Sequence, residues 1–450
     1  MCWDYSSSVR HHLQILELDG NNMKTATVLF AFSLLLLVSF STKISAAASS
    51  SFNQKKQQQQ QQEKHHTSTI ATAKNNNMET ALSKEGLSSS SDDVVDIREV
   101  MITLPDHDNI DGDIQSKLVV GIPKKITFKT KVQQQQRQQK PILIFLHGSF
   151  HSSWCYKEHF LPYFVSLGYP VISYSWRGTY DTPLPTGTTS SSNAKKKVKI
   201  RTHCHDLHEL LQQLPTIVGT NVWESSGKKP ILICHSFAGL YVMKYLEQEY
   251  FNNNKGSGDG NGFDSLLGGI ICLCCIPPSG MKSLTTRCLV TRPLSNTWKI
   301  IKGLAMKQCF YDVSLCRELF FDTTTSDEDI QRYQTYFQRD GLVTIDLSDL
   351  KKELPSLKCN KVTGRAPFVN NNDNNDFSSP VLVIGAKHDF IVDLQANIET
   401  CNYFGVSSDD ELVIVDSPHD IMLGKAWKET ATIINDWISS NVAPTKTTTS

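Results

Sequence analysis

Apolar positions in this chain fall into short unbroken runs separated by longer stretches that repeat at helical spacing. Residues 141–146, 170–174, 230–234, 268–276, 381–384 and 412–415 carry no charge and have strand length, so they read as buried strands. Residues 99–104 and 118–122 read as two leading strands. Between the runs, Leu207, Leu210, Leu211 and Leu214 lie at i, i+3, i+4 and i+7, which predicts an amphipathic helix ended near Pro215. Leu240, Val242, Met243 and Leu246 predict a second helix, residues 159–166 a short one, and Trp427, Thr430, Ile434, Trp437 and Ile438 a closing one. From Met281 to about Leu354 no strand alternation stands out. Residues 298–306, 315–321 and 330–337 suggest short helices rich in Phe and Tyr, with Thr325 or Ser326 capping the last. Such an insertion would lie over the strand ends, its aromatic rings either lining a pocket or packing a small core of their own.

The ends of the chain have a different texture. Lys24, an apolar run over residues 28–40 and the small residues Ser45 to Ala48 have the layout of a signal peptide, with Met23 as an alternative start. The run is shorter than the ~20 residues a membrane span needs. Residues 49–93 are polyglutamine, asparagine, Ser and Thr with few acids, too polar to bury a core. A leader over 1–48, this low-complexity segment, a globular domain over 94–442 with its helical insertion at 281–354, and a polar tail over 443–450 make up the expected organisation. A basic, acid-poor tract behind a signal peptide resembles the bipartite presequence of plastids reached through the secretory route; a secreted or membrane-tethered protein is the alternative.

Length and charge narrow the function classes. At ~150 residues per domain, 450 residues allow up to three domains, although an α/β domain can fill ~250 or more. Lys plus Arg equals Asp plus Glu at 45 each, so no net field favours nucleic acid. The twelve cysteines show no framework spacing, and Cys272, Cys274 and Cys275 are too crowded for a paired zinc knuckle. Buried free thiols suit a reducing compartment.

The candidate chemistry stands at strand ends. The strand over 230–234 stops at Cys234-His235-Ser236-Phe237-Ala238-Gly239 and restarts as a helix. A Gly-x-Ser-x-Gly elbow has this layout, because small residues two places either side of the serine let strand and helix cross closely. Cys234 and Ala238 replace the two glycines here, while a serine before a helix is also an ordinary N-cap. The strand over 141–146 ends in His147-Gly148-Ser149-Phe150-His151-Ser152-Ser153-Trp154, where backbone N–H groups could hold a developing oxyanion. Asp389 follows the strand over 381–384, with Asp393 as runner-up acid. His419 follows the last strand, flanked by Asp416 and Asp420. His203, His205 and His208 open the Leu207 helix, but His203 and His205 point to different faces, so a solvated helix start is expected there and no metal.

An oxyanion loop, a serine elbow, a helical insertion, an aspartate and a final histidine follow one another in the chain order of one triad architecture. From about Glu99 to Ser439 the chain resembles the α/β-hydrolase superfamily, and residues 147–154 look most like the corresponding loop of plant esterases and hydroxynitrile lyases. The resemblance implies a mostly parallel eight-stranded sheet flanked by helices, with residues 281–354 as a cap. It implies Ser236 as nucleophile, His419 as base and Asp389 as the group orienting His419, with the Ser149 and Phe237 amides as oxyanion hole. No cofactor or metal is implied. The expected partner is a small-molecule or lipid ester or thioester with an apolar part, with no nucleic acid and no stable membrane span in the mature protein. Two rivals remain: a lyase using His151 or one of Lys282, Lys299 and Lys302, and a slow or non-catalytic ligand receptor.

Overall fold

A computed structural model of the protein describes residues 95–105, 113–123, 140–184, 197–253, 266–341, 344–369 and 379–442. All belong to one compact unit of the chain, residues 90–450. The expectations for residues 1–93, for the glutamine-rich segment 124–139, for most of the Gly/Asn-rich break and the asparagine loop, and for the tail lie outside the described residues. No helix among the described residues is long and apolar enough to cross a membrane.

The core is one sheet of eight strands: β1 (Val95–Leu104), β2 (Ile114–Pro123), β3 (Leu143–Leu146), β4 (Val171–Tyr174), β5 (Ile231–His235), β6 (Gly269–Leu273), β7 (Val381–Ala386) and β8 (Leu412–Val415). Their spatial order is β1-β2-β4-β3-β5-β6-β7-β8. β2 pairs antiparallel with both β1 and β4, and every other pairing is parallel. The apolar runs find their reason here: β3, β5, β6 and β7 are buried at every residue. A parallel strand covered on both faces by helices has no solvent side on which to place polar residues. β8 lies at the edge and is buried only at Val415.

Thirteen α-helices connect and cover the sheet among the described residues. Those before β6 are α1 (Trp154–Lys157), α2 (Phe160–Ser166), α3 (Ile200–Gln212), α4 (Leu214–Val218), α5 (Thr220–Ser226) and α6 (Ala238–Asn253). Between β6 and β7 come α7 (Met281–Thr291), α8 (Leu294–Ile300), α9 (Val313–Phe320), α10 (Asp327–Asp340) and α11 (Leu347–Glu353), and the chain closes with α12 (Leu394–Phe404) and α13 (Trp427–Asn441). Ser326 caps α10, its Oγ accepting from the Asp329 amide at 3.0 Å.

Several local expectations need correction. The Leu207 helix ends near Pro215 as expected, at Gln212, but Leu214 and Pro215 open the separate α4, consistent with proline's tolerance for the first helical turn. β6 ends at Leu273, three residues early, because Cys274 turns into the left-handed region at φ 46°. The start of α3 is not solvated: His203, Cys204 and Asp206 are buried, and Asp206 takes a two-pronged hydrogen bond from Arg177 at 2.6 and 2.9 Å. His205 faces outward, and His208 Nδ1 lies 3.5 Å from Glu249.

The strand order places the candidate chemistry. After β3 the chain crosses to β4 on one side, then returns to β5 on the other, so the loops following β3 and β5 diverge from neighbouring strand ends. Such a reversal at the carboxyl edge is where open α/β sheets generally hold their ligands.

Candidate active site

Ser236 is the first residue after β5, two before the start of helix α6, and it holds φ 54°. A non-glycine side chain in this region is strained, and the surroundings must over-determine it. They do so from the neighbouring strand: the Ser236 amide donates to the Leu273 carbonyl at 2.9 Å, and the Ile276 amide donates to the Ser236 carbonyl at 3.0 Å. Gly239 lets the start of α6 lie close to the segment after β6, where a Cβ would stand 2.7 Å from the Cys275 side chain.

The loop after β3 lies against this serine. A Cβ on Gly148 would meet the Ser236 Cβ at 2.7 Å, so only glycine fits between them. His147 staples the loop to the end of β4: its Nδ1 donates to the Gly148 carbonyl at 2.8 Å while its Nε2 accepts from the Trp176 amide at 2.9 Å. Burial pushes the His147 imidazole down to about 4, so the ring is neutral at physiological pH. Phe150 is left-handed too, at φ 69°. No backbone acceptor among the described residues takes the amide hydrogen of Ser149 or of Phe237.

His419 lies in the loop after β8, and its Nδ1 hydrogen-bonds Asp389 Oδ2 at 2.7 Å. Both side chains are 1–2% exposed. The other Asp389 oxygen accepts from the amides of Ile391 and Val392 at 2.7 and 2.8 Å, which fixes the carboxylate in the turn after β7. Burial works against a charged His419, but the Asp389 charge and hydrogen bond outweigh it and raise the imidazole above its ordinary value. His419 also touches the elbow. Its carbonyl accepts from His235 Nε2 at 3.1 Å, and the two rings lie 4.8 Å apart. Ser236, Asp389 and His419 thus come from three strand ends at one edge of the sheet.

The remaining candidates are placed elsewhere. Asp393 caps α12 and pairs with Arg287 at 2.8 Å through both oxygens. Asp416 is exposed and pairs with His388. Lys299 and Lys302 pair with Glu318 and Asp312 within the insertion, and Lys282 is exposed. His151 and Asp420 hydrogen-bond each other at 2.9 Å, both fully buried, so neither is idle.

Rings from the insertion stand over the site. Phe320 lies 6.1 Å from His419 and 5.2 Å from Phe337, and Phe310 lies 5.0 Å from Phe150. One contact set tying insertion to loop went unread in the sequence: Asp340 accepts from Ser152 Oγ at 3.0 Å, Trp154 Nε1 at 3.1 Å and the Tyr180 amide at 3.0 Å. An aspartate in the last turn of α10 opposes the helix dipole, and that misplaced charge was the available signal.

Residues 143–431, well over half of the chain, match the alpha/beta hydrolase family. The chain belongs to that family. No curated protein matches it. Solved structures similar to it include a 2-hydroxy-6-oxo-6-phenylhexa-2,4-dienoate hydrolase from Rhodococcus sp., 13% identical over 76% of this chain and 100% of that one, with a TM-score of 0.46. An epoxide hydrolase from Vigna radiata is 14% identical over 78% and 99%, with a TM-score of 0.45. A monoacylglycerol lipase from Paleococcus ferrophilus is 14% identical over 68% and 97%, with a TM-score of 0.34. Within the family, the serine elbow and the His419–Asp389 pair are where this chain's own chemistry must be sought.

Proposed function

We propose that this alpha/beta hydrolase cleaves a carboxylic ester or thioester with an apolar part through an acyl-enzyme on Ser236. The observation that carries the reading is the buried His419–Asp389 hydrogen bond set beside a serine held left-handed at the head of α6. In this reading His419 Nε2 takes the Ser236 Oγ proton as Oγ bonds to the substrate carbonyl carbon, and the charge passes to the carbonyl oxygen. The Phe237 and Ser149 amides receive that oxygen, where loss of one donor typically costs ~3 kcal/mol. His419 then returns the proton to the departing alcohol or thiol. Water repeats the sequence, restoring Ser236 and releasing the acid. Asp389 keeps Nδ1 protonated and offsets the imidazolium charge.

The aromatic residues Phe150, Phe310, Phe320 and Phe337, which pack on one another beside His419, support a substrate with an apolar part. No observation favours a lyase: both nitrogens of His151 face protein oxygens, and Lys299 and Lys302 are held by acids of the insertion.

A series of p-nitrophenyl esters of increasing acyl length tests the proposal. We expect kcat/KM to rise from acetate towards medium chains and to fall by at least about 10⁴-fold in Ser236→Ala. Hydrolysis that survives Ser236→Ala contradicts it.

A further inference from the structure

The pair formed by His151 and Asp420 belongs to neither the serine nor its base, yet it joins the loops that carry them. His151 sits in the loop after β3 and Asp420 directly follows His419. His151 Nε2 donates to Asp420 Oδ2 at 2.9 Å, and its Nδ1 donates to the Ser149 carbonyl at 2.8 Å. The residue spanned by that second bond is Phe150, the left-handed one. The imidazole therefore closes the turn that orients the Ser149–Phe150 peptide. Trp154 stacks on the ring at 5.3 Å with the planes 17° apart, which fixes its tilt, and Phe337 packs against its edge at 5.0 Å.

Asp420 is equally constrained. Its amide donates to the Phe320 carbonyl at 3.1 Å, and its second oxygen lies 3.9 Å from His235 Nε2. Burial pushes the Asp420 carboxyl up, but His151 first, then His235 and His419, bring it below the usual carboxylate range. A buried hydrogen-bonded pair of this kind adds little net stability against an apolar pair of the same volume, because both groups must leave water. What it supplies is direction: each nitrogen of His151 has one partner at one distance, and one oxygen of Asp420 is held by it.

We propose that His151 and Asp420 are positioning residues that lock the oxyanion loop to the loop bearing His419: His151 holds Ser149 at its carbonyl while His147 holds the Gly148 carbonyl, whose peptide carries the Ser149 amide, so that Ser149 and the base keep a fixed separation. The inference rests on the serine-hydrolase reading above. Tenths of an ångström matter here, since a donor stabilises the transition state only where the oxyanion forms.

The test uses the full chain with His151→Gln, the shape-preserving Asp420→Asn and the double variant, each assayed on a p-nitrophenyl ester and its thiono analogue. Sulfur accepts hydrogen bonds poorly, so an intact oxyanion hole favours the oxo ester. We expect each single variant to lose about 10²-fold in kcat with KM within about threefold, and to lose about tenfold in oxo-over-thiono preference. The double variant should be no slower than the slower single one, as residues acting through one contact are non-additive. Asp420→Asn should also move the acid limb of kcat/KM to lower pH. Asp420 is one of two carboxylates raising His419, and the other groups facing that ring, Asp389, His235 and Cys274, stay unchanged. A fall in melting temperature without these kinetic signatures, an unaltered kcat in Asp420→Asn, or multiplicative losses in the double variant would overturn the inference. Full activity remaining in Ser236→Ala would instead refute the underlying serine mechanism, whatever the pair does.

Discussion

Backbone strain marks the candidate site residue by residue. Phe150, Ser236 and Cys274, three of the four non-glycine residues with positive φ among the described residues, lie in the segments that follow three adjacent strands, each at a cost of about 1–3 kcal/mol that the fold must absorb. Asp389 is the residue that most directly governs His419. Asp389→Asn removes the charge that raises the imidazole and presents the wrong tautomer, so kcat should fall by about 10⁴-fold. The acid limb of kcat/KM should move down in pH, because a base whose pKa was raised becomes deprotonated earlier once its carboxylate is gone. A limb that stays in place would show that another group sets it. At this scale, the chain order of Ser236, Asp389 and His419 was readable because each stands just after an apolar run. The Asp420–His151 pair was not, because 269 residues separate its partners and only the β3 and β8 loops bring them together.

Among elements, strands were more legible than helices. β3, β5, β6 and β7 are buried on both faces, so their sequences carry an unbroken apolar signal. α7 buries only Leu284 and Cys288, a stripe too narrow to register as periodicity, and it was missed. The start of α3 misled in the opposite sense, as its polar residues lie inside: His203 packs 4.4 Å from the Tyr241 ring and Asp206 pairs with Arg177. Asp393 belongs to this scale as well, since it caps α12 and ties that helix to Arg287 of α7. Asp393→Ala should lower stability by about 1 kcal/mol through the lost cap, with kcat unchanged. A loss of kcat comparable to that in Asp389→Asn would show that the acid has been misassigned.

For the whole molecule, buried histidines set the response to acid. Burial holds His147 near 4 and His203 near 3, and His235 well below its ordinary value. In the unfolded chain these groups titrate near ~6.5. As pH falls below that value the unfolded state takes up protons that the folded state refuses, so stability should drop progressively between about pH 6.5 and the folded values. His419 acts in the opposite sense: its raised value gives stability that is present at low pH and lost as pH rises through it. Three groups outweigh one, and the urea midpoint should be lower at pH 5 than at pH 7.5. A midpoint that rises on acidification would contradict this accounting of the core. The eleven cysteines among the described residues are free, ten of them buried, so the fold should not depend on oxidation. The central claim, that Ser236 is the activated nucleophile of this hydrolase, is tested most directly by intact-mass and peptide-mapping mass spectrometry after exposure to a serine-directed fluorophosphonate. One adduct per chain, carried by Ser236 and absent in both Ser236→Ala and His419→Ala, is the expected result. An adduct on another residue, or active protein that takes up no label, would contradict it.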